Sequence, residues 1–197
     1  HYTMRFTREE TQKPQKGGWY ESVAYRGWPV LPAYDWNGNH FYSDTSCMWA
    51  WAEGGENHNQ SDKIYHQLGF EIEPIKNWKT SADFNYRIQN SRGHNRTLPL
   101  LAYGKDGAPY YKDSNSSVQE TNYRQNYLNF SARTEYDLTL AKAHHFHAMA
   151  GMQIENLKED YFDASRVGMM DLTKPELNLT NGLKDGVAAT PSVNGYR

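Results

Sequence analysis

The segment 78–89 reads Trp-Lys-Thr-Ser-Ala-Asp-Phe-Asn-Tyr-Arg-Ile-Gln, and apolar and polar side chains alternate along it. The even-numbered positions include Trp78, Phe84 and Ile88, whereas the odd-numbered positions carry charged and amide side chains such as Asp83. Side chains alternate between the two faces of an extended chain, so a period of two predicts a β-strand. A helix would mix the charged and apolar side chains on adjacent faces. The segment therefore predicts a strand with one apolar face and one polar face.

The same alternation recurs elsewhere in the chain. We predict strands at about residues 2–8, 63–73, 78–90, 123–138 and 145–156. The apolar faces of the four longer strands run for about 9–11 residues, the length that a tilted strand needs to cross a bilayer. The polar faces carry charges and amides in mid-strand. This pattern also fits a soluble sheet with one face in water, so the connections between strands must separate the two cases.

Short and long connections alternate along the chain. Short turns are predicted near 73–77 and 139–144, and extracellular loops at about 9–62, 91–122 and 157–197. Loops above ~12–15 residues are uncommon in compact domains. Transmembrane β-barrels combine short periplasmic turns with long extracellular loops. The predicted fold class is therefore all-β, with antiparallel strands that form part of a transmembrane barrel. A barrel needs about eight strands, so these would be one section of a larger barrel.

This interpretation divides the strand residues into two sets. The apolar set is predicted to face lipid, with aromatic side chains near both ends of the strands, and it comprises Phe70, Trp78, Phe84, Tyr86, Phe130, Tyr136, Phe146 and Met152. The polar set is predicted to face a water-filled lumen, and it comprises Lys79, Asp83, Arg87, Asn129, Arg133, Glu135 and Gln153. A polar lumen is required because a hydrated solute must pass a hydrocarbon layer that excludes it.

The composition argues against several classes of protein. Hydrophobic residues make up 38% of the chain, aromatic residues 14%, and the formal net charge is −2. A protein that binds duplex nucleic acid would need a basic surplus, which is absent. The single cysteine, Cys47, excludes an internal disulfide framework and a cysteine-rich zinc site. The chain has no apolar run of the length of a transmembrane helix, and its first residues do not resemble a signal peptide.

No catalytic motif is found. The sequence has no Gly-rich phosphate loop, no His-Glu-x-x-His motif and no nucleophile elbow. Carboxylates are numerous, but a glycosidase pair is defined by its separation in space. His145 and His147 share one strand face, with His144 beside them, and could share a metal, yet no cysteine or acidic third ligand is adjacent. We expect no enzymatic activity, no cofactor and no metal.

The predicted loops are rich in large aromatic side chains. The candidates for contact with a ligand or a partner are Trp19, Tyr20, Trp28, Tyr34, Trp36, Trp49, Trp51, Tyr110 and Tyr111. Tyr and Trp combine an apolar ring with a polar group and are common at wet binding surfaces. The alternative is that these rings pack the loops against each other, because a long ordered loop needs its own small core. Each interpretation can hold for different residues.

Several stretches together resemble a known family. They occur in the family's order from about residue 28 to residue 183, at 31–38, 52–57, 68–79, 127–136, 144–151, 161–166 and 175–177. Examples are Ala-Glu-Gly-Gly-Glu-Asn at 52–57 and Glu-Pro-Ile-Lys-Asn-Trp at 73–78. The series resembles the SusC/RagA-like TonB-dependent outer-membrane transporters of Bacteroidetes.

The resemblance implies a larger barrel of about 22 strands, in the outer membrane, that imports large nutrients such as oligosaccharides or peptides. It further implies a SusD-like surface lipoprotein over the extracellular mouth, and TonB as the source of energy. The family's plug and TonB-contacting segment have no counterpart in residues 1–197. Two alternatives stay open: a soluble, secreted carbohydrate-binding β-sandwich module, and a siderophore-type TonB-dependent receptor.

Overall fold

The chain forms long antiparallel strands with little helix. The structure, a computed structural model, describes residues 1–14, 24, 32, 34–41, 48–104, 106–140, 144–184 and 187–196. Its elements are β1 (Tyr2–Pro14), α1 (Met48–Glu53), β2 (Gly55–Ile75), β3 (Trp78–Thr97), β4 (Leu100–Tyr103), β5 (Pro109–Asp113), β6 (Ser117–Leu140), β7 (His144–Val167), a 3₁₀ helix (Leu177–Leu179), β8 (Leu183–Lys184), β9 (Val187–Ala188) and β10 (Ser192–Tyr196). No helix within these ranges is both long and apolar enough to cross a bilayer.

Six of the strands form one sheet in the order β1-β2-β3-β6-β7-β10, and every neighbouring pair is antiparallel. The hairpin of β4 and β5 forms a separate small sheet between β3 and β6 in the chain. The all-β, antiparallel prediction is confirmed. The large sheet is open, with β1 and β10 at its edges, as a section of a larger barrel would be.

The strands are longer than predicted. β6 and β7 each have 24 residues, and β2 and β3 have 21 and 20. The strands therefore continue into the segments 9–62, 91–122 and 157–197 that were predicted as loops. In these extensions most side chains on both faces are polar, and several bond across strands, as Ser61 does to Ser91 at 2.9 Å. Hydrophobic alternation cannot report a strand that is polar on both faces.

The last strand of the sheet was missed for a related reason. β10 is five residues long, contains Asn194 and Gly195, and pairs with the upper part of β7. Its residues show little apolar alternation, so the pattern placed them in the loop 157–197. The partner strand, not the local sequence, holds this segment extended.

A two-residue turn of Lys76 and Asn77 connects β2 to β3, as the short predicted turn requires. Asn77 has a φ of 69°, a left-handed conformation that Asn tolerates better than most residues. Its backbone N–H donates to Glu73 Oε1 at 2.9 Å. The second short turn, at 141–143, lies outside the described residues.

The buried hydrophobic cluster of the described residues lies in segments that were predicted as loops, which we call the core beneath the loops, and the large sheet adds only Val118 and Ala164 as buried apolar residues. Trp49 of α1 is 4% exposed, and it packs with Leu100 (1%) and Ala102 (0%) of β4, against which Tyr110 of β5 also packs. On the sheet, Phe84 is 36% exposed and Met152 54%. The described residues form no second layer over the apolar side chains of the large sheet. The sheet is thus a single layer.

Candidate functional site

The register of the strands decides which side chains share a face. Residues directly opposite each other in an antiparallel pair point to the same side. Leu68, Phe84, Phe130 and Ile154 are opposite one another along four strands and form one row. We call the side that carries this row the apolar face. The register places all eight predicted lipid-facing residues on the apolar face, namely Phe70, Trp78, Phe84, Tyr86, Phe130, Tyr136, Phe146 and Met152.

The middle of the apolar face carries no ionic side chain. Between the row of Tyr86 and the row of Trp78, none of its described residues is Asp, Glu, Lys or Arg. The eleven residues of β6 from Leu128 to Leu138 cover this band and the next row towards the turns, that of Leu138 and Phe146. At ~3.3 Å per residue and a tilt of ~45°, they span roughly 23 Å along a bilayer normal. Outer-membrane barrels have an apolar band of ~25 Å.

Polar atoms within this band bond to each other. The indole Nε1 of Trp78 donates to Thr134 Oγ1 at 2.7 Å, and the hydroxyl of Thr80 lies 2.9 Å from that of Thr134. At the β1 side, the Tyr2 hydroxyl lies 2.8 Å from His66 Nδ1. Hydrocarbon offers no hydrogen-bond partner, so a lipid-facing surface must satisfy such groups internally. These hydrogen-bonded pairs are compatible with such a surface.

The other side of the sheet, the polar face, carries all seven predicted lumen-facing residues: Lys79, Asp83, Arg87, Asn129, Arg133, Glu135 and Gln153. Many of them bond to neighbours on the same face. Arg133 Nε lies 2.8 Å from Glu135 Oε1, and Arg87 donates to Gln125 Oε1 at 2.7 Å. The Asn129 amide donates to a carboxylate oxygen of β7 at 3.1 Å. The polar face is mostly polar and hydrogen-bonded, although Met149 and Leu157 of β7 are also exposed on it.

Three tyrosines form a row on the polar face, beyond the apolar band and towards the loops. Tyr123 of β6 is opposite Tyr161 of β7, which is opposite Tyr196 of β10. The rings of Tyr161 and Tyr196 stack, with centroids 5.4 Å apart. We call Tyr123, Tyr161 and Tyr196 the tyrosine row. Sequence reasoning missed it because the three residues lie far apart in the chain and only the register aligns them.

A carboxylate anchors one end of the tyrosine row. The Tyr123 hydroxyl donates to Glu159 Oε1 at 2.7 Å, and the Gln125 amide donates to the same oxygen at 2.6 Å. The hydrogen bond to the carboxylate raises the pKa of Tyr123 to about 12. The same hydrogen bond, with that from Gln125, lowers the pKa of Glu159 below its ordinary value. Both shifts favour the neutral tyrosine beside the ionised carboxylate, which holds the ring of Tyr123 in place.

A groove of about 340 Å³ lies beside the tyrosine row, lined in part by Tyr123, Tyr161, Asn59 and Thr121. Gly93 lies between the last two side chains. A Cβ at this position would lie 2.3 Å from Thr121 Oγ1 and 2.6 Å from Asn59 Oδ1, so only glycine lets both approach so closely. The groove offers ring faces together with hydroxyl and amide groups. Such a surface can hold a solute that is rich in hydroxyl or amide groups.

The loop aromatics divide between packing and exposure. Trp49 and Tyr110 belong to the core beneath the loops, and His40 stacks on Trp49 with centroids 4.5 Å apart. Trp36 is 93% exposed, in a turn in which Asp35 Oδ1 accepts from the backbone N–H of residues 37 and 39. Tyr34 and Tyr111 are also exposed. The structure thus makes some candidates packing residues and leaves others open to a ligand.

The remaining loop candidates have no described side chain. Trp19, Tyr20 and Trp28 lie outside the described residues, and only the backbone of Trp51 is described, within α1. Cys47 is also outside them.

The histidines at the turn end of β7 bond to side chains of β6. His147 Nδ1 lies 2.7 Å from Asp137 Oδ1, and His145 Nδ1 lies 3.0 Å from the Thr139 hydroxyl. In the described ranges, no three His, Cys, Asp or Glu residues are grouped so as to hold a metal ion.

Of the comparisons with known proteins, the one with solved structures gives a match. No family model and no curated protein matches the chain. Among solved structures it is similar to a chain of the RagAB peptide transporter, with 19% identity and a TM-score of 0.56. The similarity covers 82% of this chain and 18% of that chain. Identity at this level shows likeness of fold alone. The sheet described above is therefore similar in fold to a part of the RagAB chain, and the present chain spans about a fifth of that chain's length.

Proposed function

We propose that the chain is a section of the barrel of a SusC/RagA-like TonB-dependent transporter in the outer membrane, and that this section has no catalytic role. The observation that carries the proposal is the contrast between the two faces of a single-layered sheet. One face has a band without ionic side chains and exposes its large apolar residues. The other is mostly polar, with a few exposed apolar residues such as Met149 and Leu157. A wall between lipid and a water-filled lumen needs both properties in the same strands.

The fold similarity to the RagAB chain supports the same proposal, because it covers most of the present chain. A soluble sandwich would bury side chains such as Phe70 and Ile154 under a second sheet. Both are instead more than half exposed. Under the proposal, the spanning segments are 66–75, 78–86, 128–140 and 144–156. The extensions of the strands and the loops then stand in the extracellular medium.

The polar face lines the passage for the nutrient. A plug elsewhere in the whole protein would occupy the lumen, and TonB would act on that part. Lys79, Asp83 and Arg133 then contact water or the plug. The tyrosine row and its groove lie nearer the extracellular mouth, where an incoming oligosaccharide or peptide would meet the ring faces first. The exposed Tyr34, Trp36 and Tyr111 are candidates for contact with the nutrient or with a SusD-like lipoprotein.

Spin labels on neighbouring residues test the placement of the two faces. Single cysteines would replace Phe84, Phe130 and Met152 on the apolar face, and Asp83, Ser131 and Gln153 next to them on the polar face, in the intact protein with Cys47→Ser. We expect labels on the first three to collide with dissolved oxygen, which partitions into lipid, and not with a water-soluble nickel chelate. The second three should show the opposite preference. Equal access of the nickel chelate to both sets would contradict the proposal and favour the soluble module.

A second measurement addresses the partner and the class of transporter. The intact protein, extracted gently from its own outer membrane, should carry a surface lipoprotein in a one-to-one ratio. Deletion of the intact protein should abolish uptake of a labelled oligosaccharide or peptide pool. A siderophore-type receptor would lack the lipoprotein and would bind ferric chelates instead. That result would retain the barrel and reject the SusC/RagA-like assignment.

A further inference from the structure

The charge-free band of the apolar face ends abruptly on the side of the loops. Lys158 stands in the first row beyond it, Arg124 in the second and Arg92 in the third. All three side chains belong to exposed residues. None of them makes an ion pair with any residue that the structure describes. By contrast, Arg8 on the same face is held by Asp62 at 2.7 Å. Three cations without a close ion pair among the described residues thus lie at the border of the apolar band, although Asp62 also attracts Arg92.

The register gives the spacing of these cations. Lys158 of β7 is opposite Asn126 of β6, and Arg92 of β3 is opposite Asn122 of β6. Arg124 lies midway between these two asparagines along β6. Each cation is therefore a diagonal neighbour of the next, at roughly 7–8 Å between Cα atoms. Long flexible side chains at this spacing can converge on one phosphate or share two.

Carboxylates nearby reduce the charge but do not cancel it. Asp160 is opposite Arg124 in the same row, and Asp62 in that row is already engaged by Arg8. Glu10, opposite Gln60, lies in the same row as Arg92, so the three rows hold four cations and three carboxylates and a net charge of +1. The patch would therefore attract an anion that reaches the border of the band.

The opposite border of the apolar face is different. Towards the turns its rows hold Trp78 with Tyr136, then Leu138 with Phe146, then Leu140 with His144. These rows contain no Lys or Arg in the part of the chain that the structure describes. Among the described rows, the cations thus lie at the border on the side of the long strand extensions and loops, and Lys76 lies in the β2–β3 turn beyond the last row of the other border. This asymmetry points to one leaflet.

We propose that Arg92, Arg124 and Lys158 form a docking site for the phosphate groups of an anionic lipid in the outer leaflet, whose acyl chains lie on the apolar face below. The proposal rests on the outer-membrane placement given above. Phosphate groups lie just above the hydrocarbon layer, which is the depth of the three cations relative to the apolar band. Arginine and lysine together provide multiple donors to phosphate oxygens.

The test compares two triple variants of the intact, detergent-solubilised protein. The first carries Arg92→Gln, Arg124→Gln and Lys158→Gln. The matched control carries Arg5→Gln, Lys76→Gln and Lys174→Gln, which remove the same charge from exposed residues elsewhere. Heat-resistant migration on gels confirms that both fold. The probe is a bisphosphorylated diglucosamine lipid, with its dephosphorylated form as reference, and bound lipid is counted by native mass spectrometry.

We expect the first variant to bind the phosphorylated lipid at least ten-fold more weakly than the unmodified protein, and the control to stay within two-fold. The dephosphorylated lipid should bind all three proteins equally weakly, and inorganic phosphate should not compete. Unchanged binding by the first variant would overturn the proposal, as would an equal loss in the control. Full competition by inorganic phosphate would instead indicate a site for a free anion. If the first variant kept its lipid binding but lost a co-purified protein, the site would bind a protein partner.

The two proposals can fail separately. Labels at Phe84 and Phe130 that face lipid, together with unchanged binding of the phosphorylated lipid, would reject only the docking site. Labels that face water would reject the membrane placement, and the docking site with it.

Discussion

Large apolar side chains are buried in the core beneath the loops, whereas similar side chains are exposed on the apolar face of the sheet. Beneath the loops, a small cluster around Leu100 and Trp49 is almost completely closed to solvent. On the sheet, larger residues such as Phe70 and Phe146 stay more than half exposed. The first cluster is assembled in water, where burial against other protein atoms is the favourable outcome. Under the proposal, lipid covers the second, so the strands need no second sheet.

The largest effect is expected within the loop core. Leu100→Ala removes a fully buried side chain and leaves a cavity, which should cost about 2–5 kcal/mol of local stability. Hydrogen exchange of the amides in β4 and α1 should then accelerate, while that of β3 and β6 stays unchanged. Leu101→Ala is the matched control, because Leu101 is the next residue of β4 and is exposed. Equal acceleration by both variants would contradict the assignment of this core.

A slightly smaller effect is expected on the apolar face. Phe84→Arg places a charge near the middle of the band, which should destabilise the barrel by roughly 2–4 kcal/mol. Urea unfolding in lipid vesicles, together with heat-resistant migration on gels, measures the loss. Asn85→Arg is the neighbouring control on the polar face and should unfold close to the unmodified protein. If the two variants lost stability equally, the two faces would not differ in their surroundings.

Hydrogen bonds inside the band give an intermediate test. Thr134→Val leaves the Trp78 indole N–H and the Thr80 hydroxyl without their partner in lipid, at a cost of about 1–3 kcal/mol. The double variant Trp78→Phe with Thr134→Val removes one donor and the shared acceptor, so its loss should be smaller than that of the single variant. Unfolding in vesicles measures both. A larger loss in the double variant would argue against a water-free environment.

The smallest expected effect is a pH dependence outside the band. Because the folded pKa of Glu159 is lowered, its contribution to stability is present above its ordinary pKa and is lost as the pH falls through the lowered value. Because the folded pKa of Tyr123 is raised to about 12, its contribution is complete below pH ~10 and is lost as the pH rises through that raised value. Absorbance titration should show one late tyrosinate that Tyr123→Phe removes. Glu159→Gln should shift this ionisation towards ordinary values, and an unchanged titration would contradict the pairing.

The separation of the two faces could be predicted because it is local. Whether a residue such as Phe84 or Asp83 faces one side or the other follows from its position in an extended segment. Alternation along one strand therefore predicted both sets of face residues, and the register places each set on a single side. The roles of the faces, towards lipid and towards the lumen, stay predictions until the labels are measured.

The extents of the strands and the tyrosine row could not be predicted in this way. The upper parts of β6 and β7 carry mostly polar side chains on both faces, and their few apolar residues, such as Val118 and Phe162, follow no regular period. β10 is extended because β7 offers it an edge. The loop aromatics give the same lesson, since Trp49 and Trp36 were both candidates for contact with a ligand and are opposite in exposure.

The sequence by itself determined the period of two, the division of apolar from polar side chains, and the short turns, because each depends on neighbours within one strand. Only the tertiary structure decided how far the strands run, which residues lie opposite each other, and which loop rings are buried. Pairing between distant segments creates the tyrosine row and the line of three cations, and no single segment contains the information for either.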